Sequence, residues 1–287
     1  MTKGFLLAFL AAFCWGASIV LSKAGLEQMD AGTLFFFQIL SATLFSWAVL
    51  LISRNRLTLN RPALWAYATG IFEPFLAYIL TLYGLEKVPA GAASVIFSLE
   101  SAMILILSVL ILKVKVKSAG TFILLLVGAL AGSLLVVFPE TGNPRGSFSG
   151  YLLIFAGVLS AAFCVVISSR LVKSMNPLQL LTGQLTYAAI LAPVFLFFSG
   201  ASLRLPKGAV LLVIASGTMQ YFLAFILYLY SLKWVEVHIA GVMLYFVPVI
   251  ALLLSWVFLD ETLSAVQTAG VVLTIGSVFF LSRKYEH

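Results

Sequence analysis

Between residues 4 and 281 the chain is a succession of ten apolar runs, roughly 4–25, 31–53, 63–84, 91–112, 119–138, 148–170, 177–198, 208–231, 236–258 and 264–281, joined by short polar loops. A helix of about 20 predominantly apolar residues is what the hydrocarbon core of a bilayer requires. With 62% hydrophobic and 9% charged residues, a chain of 287 residues carries more apolar surface than a water-soluble core can hide, so the solvent is the bilayer. β-Barrel spans would show alternating segments of about 10 residues, which these continuous runs do not. The predicted fold is all-α, with ten transmembrane helices.

The net charge of +7 would suggest nucleic acid in a soluble protein. Here the basic residues sit in short loops, where they orient helices, and no nucleic-acid motif is present. Placing both termini in the cytoplasm puts Lys3, Arg54, Arg56, Arg61, Lys113, Lys115, Lys117, Arg170, Lys173, Lys233, Arg283 and Lys284 inside. Only Lys23, Lys87, Arg145, Arg204 and Lys207 then face outward. The apolar run after Lys3 is longer than a signal-peptide core and lacks a small-residue cleavage site, so it is expected to stay as the first helix.

One phrase occurs twice. Phe75 to Val88 reads FLAYILTLYGLEKV and Phe222 to Val235 reads FLAFILYLYSLKWV, with nine identities in fourteen positions at an offset of 147. At an offset of 146, Gly4 meets Gly150, Asp30 meets Asn176 and Gln38 meets Gln184. We read an internal duplication: residues 1–138 as one five-helix repeat, 139–149 as a linker, and 150–287 as the second repeat. An odd number of helices per repeat inverts the second copy in the membrane. Charge agrees, because Lys113–Lys117 aligns with the loop at Asp260-Glu261 and Glu27 aligns with Lys173. Inverted repeats suit a protein that opens alternately to either side.

Two acids lie inside apolar runs. Glu73 stands near the middle of the third, directly before Pro74, and Glu100 near the centre of the fourth, with Ser94, Ser98 and Ser101 nearby. An ionisable group at helix centre costs about 2.5–3.5 kcal/mol, so such a residue should face the bundle interior or a wet cavity. Pro74 has no N–H and its ring disturbs the carbonyl of Gly70, which predicts a kink. Glu73, with Glu100, is the expected carrier of a coupling proton. The counterpart of Glu73 is Gln220 and that of Glu100 is Val247. Gln38 and Gln184 are a repeat-related pair suited either to packing or to lining a cavity.

Among the aromatics, Trp47, Trp65, Tyr67, Trp234 and Trp256 fall near helix ends, as in interfacial belts. Trp15, Tyr78, Tyr187, Tyr221, Tyr228 and Tyr245 fall deeper, and ring faces can wall a pocket. The expected substrate-binding set is Trp15, Gln38, Glu73, Tyr78, Glu100, Gln184, Gln220 and Tyr245. Cys14 and Cys164 lack metal-ligand or CxxC spacing and are expected to be inert core residues. Gly128 and Gly132 form a GxxxG spacing suited to helix packing or a dimer contact. Neither a cofactor nor a metal is indicated. The histidines are His238 and His287, and no HExxH or Ser-His-Asp set can be assembled inside the membrane, so an intramembrane enzyme is a remote alternative.

Several positions carry a family resemblance: Trp15-Gly16, Tyr83-Gly84-Leu85, Val88-Pro89-Ala90, Gly91-Ala92-Ala93, Ser98-Leu99-Glu100, Pro248 and Leu259-Asp260-Glu261. In this order and in a duplicated ten-helix frame the chain resembles the EamA-type transporters of the drug/metabolite transporter superfamily. The resemblance implies a multi-pass carrier in a cell inner or plasma membrane, monomeric or homodimeric. It further implies small-molecule substrates such as amino acids or related metabolites, often exported, with proton coupling. A multidrug exporter and an uncoupled facilitator are the alternatives. Two positions depart from the family pattern: Ser101 stands where a Pro commonly follows the Leu-Glu pair, and Gln38 where a basic residue is common.

Overall fold

A computed structural model describes residues 3–85, 87, 96–116, 118–137, 147–200, 202–258 and 264–284. Val88-Pro89-Ala90, Gly91-Ala92-Ala93, Ser94, Lys117, Arg145, Leu259-Asp260-Glu261, His287 and most of the linker 139–149 lie outside the described residues, as do the side chains of Lys23 and Trp256. Every regular element among the described residues is helical. They are α1 (Lys3–Leu26), α2 (Ala31–Ile52), α3 (Arg61–Ala68), α4 (Ala77–Leu85), α5 (Glu100–Leu112), α6 (Ala119–Val137), α7 (Phe148–Ser174), α8 (Pro177–Ser199), α9 (Val210–Gly217), α10 (Ala224–Ser231), α11 (Val237–Val242), α12 (Phe246–Phe258) and α13 (Ala265–Lys284). Several are halves of one interrupted span. Among the described residues seven helices are long and apolar enough to cross a membrane, and Glu100–Leu112, Val237–Ala251 and Ala265–Leu281 are shorter apolar helices. Large side chains such as Phe197 (81% exposed) and Leu124 (70%) cover the outer surface, as lipid contact requires.

Local sequence accounts for the helix starts. Asp30 caps α2, accepting the Thr33 N–H at 2.8 Å, and Asn60, Ser147 and Asn176 cap α3, α7 and α8 in the same way. Pro62 and Pro177 occupy the first turns that follow, where a missing N–H costs nothing. Partial burial works against ionisation of Asp30, but hydrogen bonds from the backbone N–H and hydroxyl of Thr33, together with the backbones of Ser202 and Asp30 itself, outweigh it and hold its carboxyl below the ordinary range. Because the folded value is depressed, the capping contribution is complete above the unfolded value of about 3.9 and is lost as pH falls through the folded value. Asp30→Ala is expected to lower stability by about 1 kcal/mol at neutral pH, with a smaller difference in acid, measured by unfolding in detergent.

The helices pack in couples that follow the sequence duplication. α1 lies on α10 and α12, while its counterpart α7 lies on α4 and α5; α2 lies on α9, while α8 lies on α3. Of the remaining large contacts, two join counterparts directly, α2 with α8 and α6 with α13, and a third joins α5 with α11. Glycines set the closest approaches. A Cβ on Gly70 would stand 2.6 Å from the Cα of Gln184, and a Cβ on Gly217 would stand 2.7 Å from the Cα of Gln38. The GxxxG face of α6 is filled from within the chain, since Cβ atoms on Gly128 and Gly132 would meet Ser277 Oγ at 2.6 Å and Gly270 O at 2.8 Å.

Two expectations change. Tyr67 does not belong to an interfacial belt, because α3 turns it inward against Gly183 and leaves it 2% exposed, unlike Trp65 at 69%. Glu100 does not stand at the centre of a described helix: residues 98 and 99 form a turn, and Glu100 opens α5.

Candidate functional site

The span that begins with α3 does not run through. After α3 the chain tightens at Thr69–Ile71 and then breaks at Phe72–Leu76, where Glu73 adopts extended dihedrals (φ −150°, ψ 128°) and its bond to Pro74 is cis. Pro74 lacks the N–H a continuous helix would use, so carbonyls around the break must find other donors. α7 supplies them: Ser160 Oγ donates to Phe72 O at 2.9 Å, and the Cys164 thiol lies 3.5 Å from both Thr69 O and Glu73 O. In the other half, the matching residues Thr218–Leu223 form a π-helical turn without extended backbone. Wide turns of this kind often mark functional positions in helices.

The Glu73 side chain is 7% exposed, and its Oε2 has no hydrogen-bond partner. It lines a small cavity together with Cys164, Ser168, Gln184, Phe225 and Tyr228. Glu100, half-buried, lies close enough for its carboxyl to interact with that of Glu73. Tyr78 and Tyr228 feel both carboxyl groups, and the Tyr78 hydroxyl lies beside Gln220 and Trp15. Aromatic edges close the assembly. Trp15 packs against Phe225 and Tyr228 with centroids 5.1 and 5.5 Å apart, and Tyr78 against Tyr221 at 4.8 Å. No Lys or Arg is buried among the described residues.

The two glutamines are cross-links between halves. Gln38 Nε2 donates to Ser22 Oγ at 3.0 Å and Ser216 Oγ at 2.8 Å; Gln184 Nε2 donates to Ser168 Oγ at 3.1 Å and Thr69 Oγ1 at 2.8 Å. Ser22 in turn donates to Gln220 Oε1 at 3.1 Å. Both amides are 3% exposed, and Gln184 also reaches the cavity.

The structure therefore brings Trp15, Glu73, Tyr78, Glu100 and Gln220 into one polar, aromatic interior, with Gln38 and Gln184 tying its margins. Tyr245 is 2% exposed beside Ser101 and, like Trp15, Tyr78, Glu100 and Gln220, does not itself line the small cavity. Tyr228, Ser168 and Cys164 were not among the expected site residues. A signal for the last two existed: Ser160, Cys164 and Ser168 recur every four residues, which places three polar groups on one helix face. Cys164 is thus a buried core residue, as expected, whose thiol also faces the carbonyls of the broken helix. Cys14 and Cys164 are free and only 6% and 3% exposed, so a thiol reagent should titrate neither in the folded protein and both after denaturation. Absorbance on adding an aromatic disulfide would measure this.

Comparison with known proteins agrees with this architecture. A crystal structure 18% identical in sequence superimposes with a TM-score of 0.82 over 99% of each chain, which establishes the fold. An uncharacterized transporter from Archaeoglobus fulgidus is 23% identical across 99% of this chain and 100% of its own length. The uncharacterized transporter YdfC of Bacillus subtilis is 26% identical across 93% of this chain and 86% of its own. The uncharacterized inner membrane transporter YhbE of Escherichia coli is 34% identical across 40% of this chain and 37% of its own. The EamA-like transporter family matches residues 2–138 and again 148–283. Two matches covering nearly all of a helical membrane protein leave one assignment: the chain belongs to the EamA-like transporter family.

Proposed function

We propose that the protein is a secondary transporter that moves small organic solutes across a cell inner or plasma membrane by alternating access. Its frame in this reading is ten membrane-spanning segments in two inverted halves, residues 1–138 and 150–287, linked by 139–149, with both termini cytoplasmic. The exchange-related packing couples and the paired contacts of Gly70 with Gln184 and Gly217 with Gln38 support two halves that trade conformations. The observation that carries the mechanism is the Glu73 carboxyl, buried at a helix break with one oxygen unpartnered in an interior cavity. A carboxyl so placed is a group that takes up and releases a proton as access changes. Glu100 shares its field, Trp15, Tyr78 and Gln220 complete the substrate site, and Gln38 and Gln184 support it. Amino acids and related metabolites, moved outward, are the first solutes to try.

The test is flux into proteoliposomes containing the pure protein. Radiolabelled amino acids and common drugs are offered with and without a pH gradient. Saturable, gradient-dependent accumulation with counterflow is the expected result. Saturable flux indifferent to the gradient would identify a facilitator, and chemical conversion of the solute would overturn transport altogether.

A further inference from the structure

The two glutamine nodes match residue for residue. Ser22 corresponds to Ser168 and Gln38 to Gln184 at an offset of 146; Thr69 corresponds to Ser216, Gly70 to Gly217 and Glu73 to Gln220 at 147. In each node the amide of a glutamine donates to a serine on the first helix of its own half and to a hydroxyl on the third helix of the other half. In each node the glycine beside that hydroxyl rests on the glutamine backbone.

One bond breaks the correspondence. Ser22 donates to Gln220 at 3.1 Å, but the equivalent bond from Ser168 to Glu73 is not made. Ser168 is held by Gln184 and lies 3.8 Å from Cys164 Sγ, while Glu73 Oε2 is left without a partner although both residues line the same cavity. The backbone differs at the same place, extended at Glu73 and π-helical around Gln220. A buried polar atom without a partner is costly, commonly about 1–3 kcal/mol, and a state that restores the partner is correspondingly favoured.

We infer that Ser168 is the positioning residue for Glu73 in the opposite-facing state: as the halves exchange conformations, the Ser22–Gln220 hydrogen bond opens and a Ser168–Glu73 hydrogen bond closes. The inference rests on the alternating-access reading above. Gln220 cannot titrate and Glu73 can, so the bond on the Ser168 side depends on the protonation of the carboxyl and the bond on the Ser22 side does not. A transporter built this way holds one state with a pH-independent latch and the other with a pH-dependent one. The titratable groups facing Glu73 are Glu100 on α5, Tyr78 on its own span, Cys164 on α7, Tyr221 in the turn before α10, and Tyr228 on α10.

The test needs no known substrate. Pairs of spin labels across each end of the bundle, in protein reconstituted in nanodiscs, report the ratio of the two states between pH 5 and 9. Ser22→Ala should move that ratio toward the opposite-facing state and Ser168→Ala away from it, each by about threefold, the weight of a typical interhelical hydrogen bond. Ser168→Ala should also displace the pH midpoint of the population change, Ser22→Ala should leave it in place, and Glu73→Gln should abolish it. Ser168→Thr, which keeps the hydroxyl, should restore the midpoint. Infrared difference spectra of wild type, with the Glu73 band assigned by its loss in Glu73→Gln, provide a readout independent of how the Ser168 variants fold. The carbonyl stretch of that band should fall in frequency as the second state fills.

Shifts of both alanine variants in the same direction, an unmoved midpoint in Ser168→Ala, or a carbonyl band of constant frequency would overturn the inference. A wild type showing two states but no gradient-driven flux would instead count against the proposed function and leave the latch standing.

Discussion

Glu73→Gln should yield a folded protein whose transport no longer responds to a pH gradient. The substitution keeps size and hydrogen-bonding capacity while removing the titratable proton, and it gives the first half the side chain that the second already carries at Gln220. Because Oε2 has no partner in the present structure, no hydrogen bond is lost there. Counterflow of labelled solute should persist within about threefold, whereas gradient-driven accumulation should fall at least about tenfold, a barrier of ~1.4 kcal/mol or more. Proteoliposome flux on wild type and variant decides it. An unchanged gradient response in the variant removes Glu73 from coupling.

The second large effect is on stability. Gly70→Ala and Gly217→Ala each insert a methyl group against backbone, at 2.6 Å from Gln184 Cα in one case and 2.6 Å from Gln38 O in the other. Main chain at a helix crossing cannot step aside as a flexible side chain can, so overpacking of this kind costs about 3 kcal/mol. Both variants should lose thermal stability in detergent by about 5–10 °C. Gly276→Ala is the control, because its Cβ would meet nothing within 4 Å. Equal melting of all three would show that the crossings are not held by backbone contact.

Features written in adjacent residues were legible in the sequence. The caps at Asp30 and Asn176 and the apolar runs follow from side chains acting within a few positions of themselves, and the break at Pro74 follows from a missing N–H. The repeat of Gln38 in Gln184 is visible in the sequence, but their hydrogen-bond partners lie 178 and 115 positions away, at Ser216 and Thr69, and only the fold supplies those. Cys164 reads from the sequence as core and is buried there, but its contact with another helix is not written in its apolar neighbours. Its role appears once α7 is placed against carbonyls that Pro74 has left open. Nothing in residues 218–223 announces a π-helical turn, since the second copy has Tyr221 where the first has Pro74.

The placement of the two carboxyl groups along their helices has an electrical consequence. Glu73 lies twelve residues beyond Arg61, and Glu100 lies thirteen before Lys113, which at about 1.5 Å per residue puts each roughly 18–20 Å from the end of its own span. In the proposed orientation both ends are cytoplasmic, so the two acids sit at one depth, about two-thirds of the way through a hydrocarbon layer ~30 Å thick. A proton reaching them from the cytoplasm crosses that share of the membrane field. At about 2.3 kcal/mol per charge for 100 mV, the voltage acts on it with roughly 1.5 kcal/mol, close to the weight of one pH unit. In the proposed mechanism, membrane potential and proton gradient would therefore address the same pair of side chains in nearly interchangeable amounts.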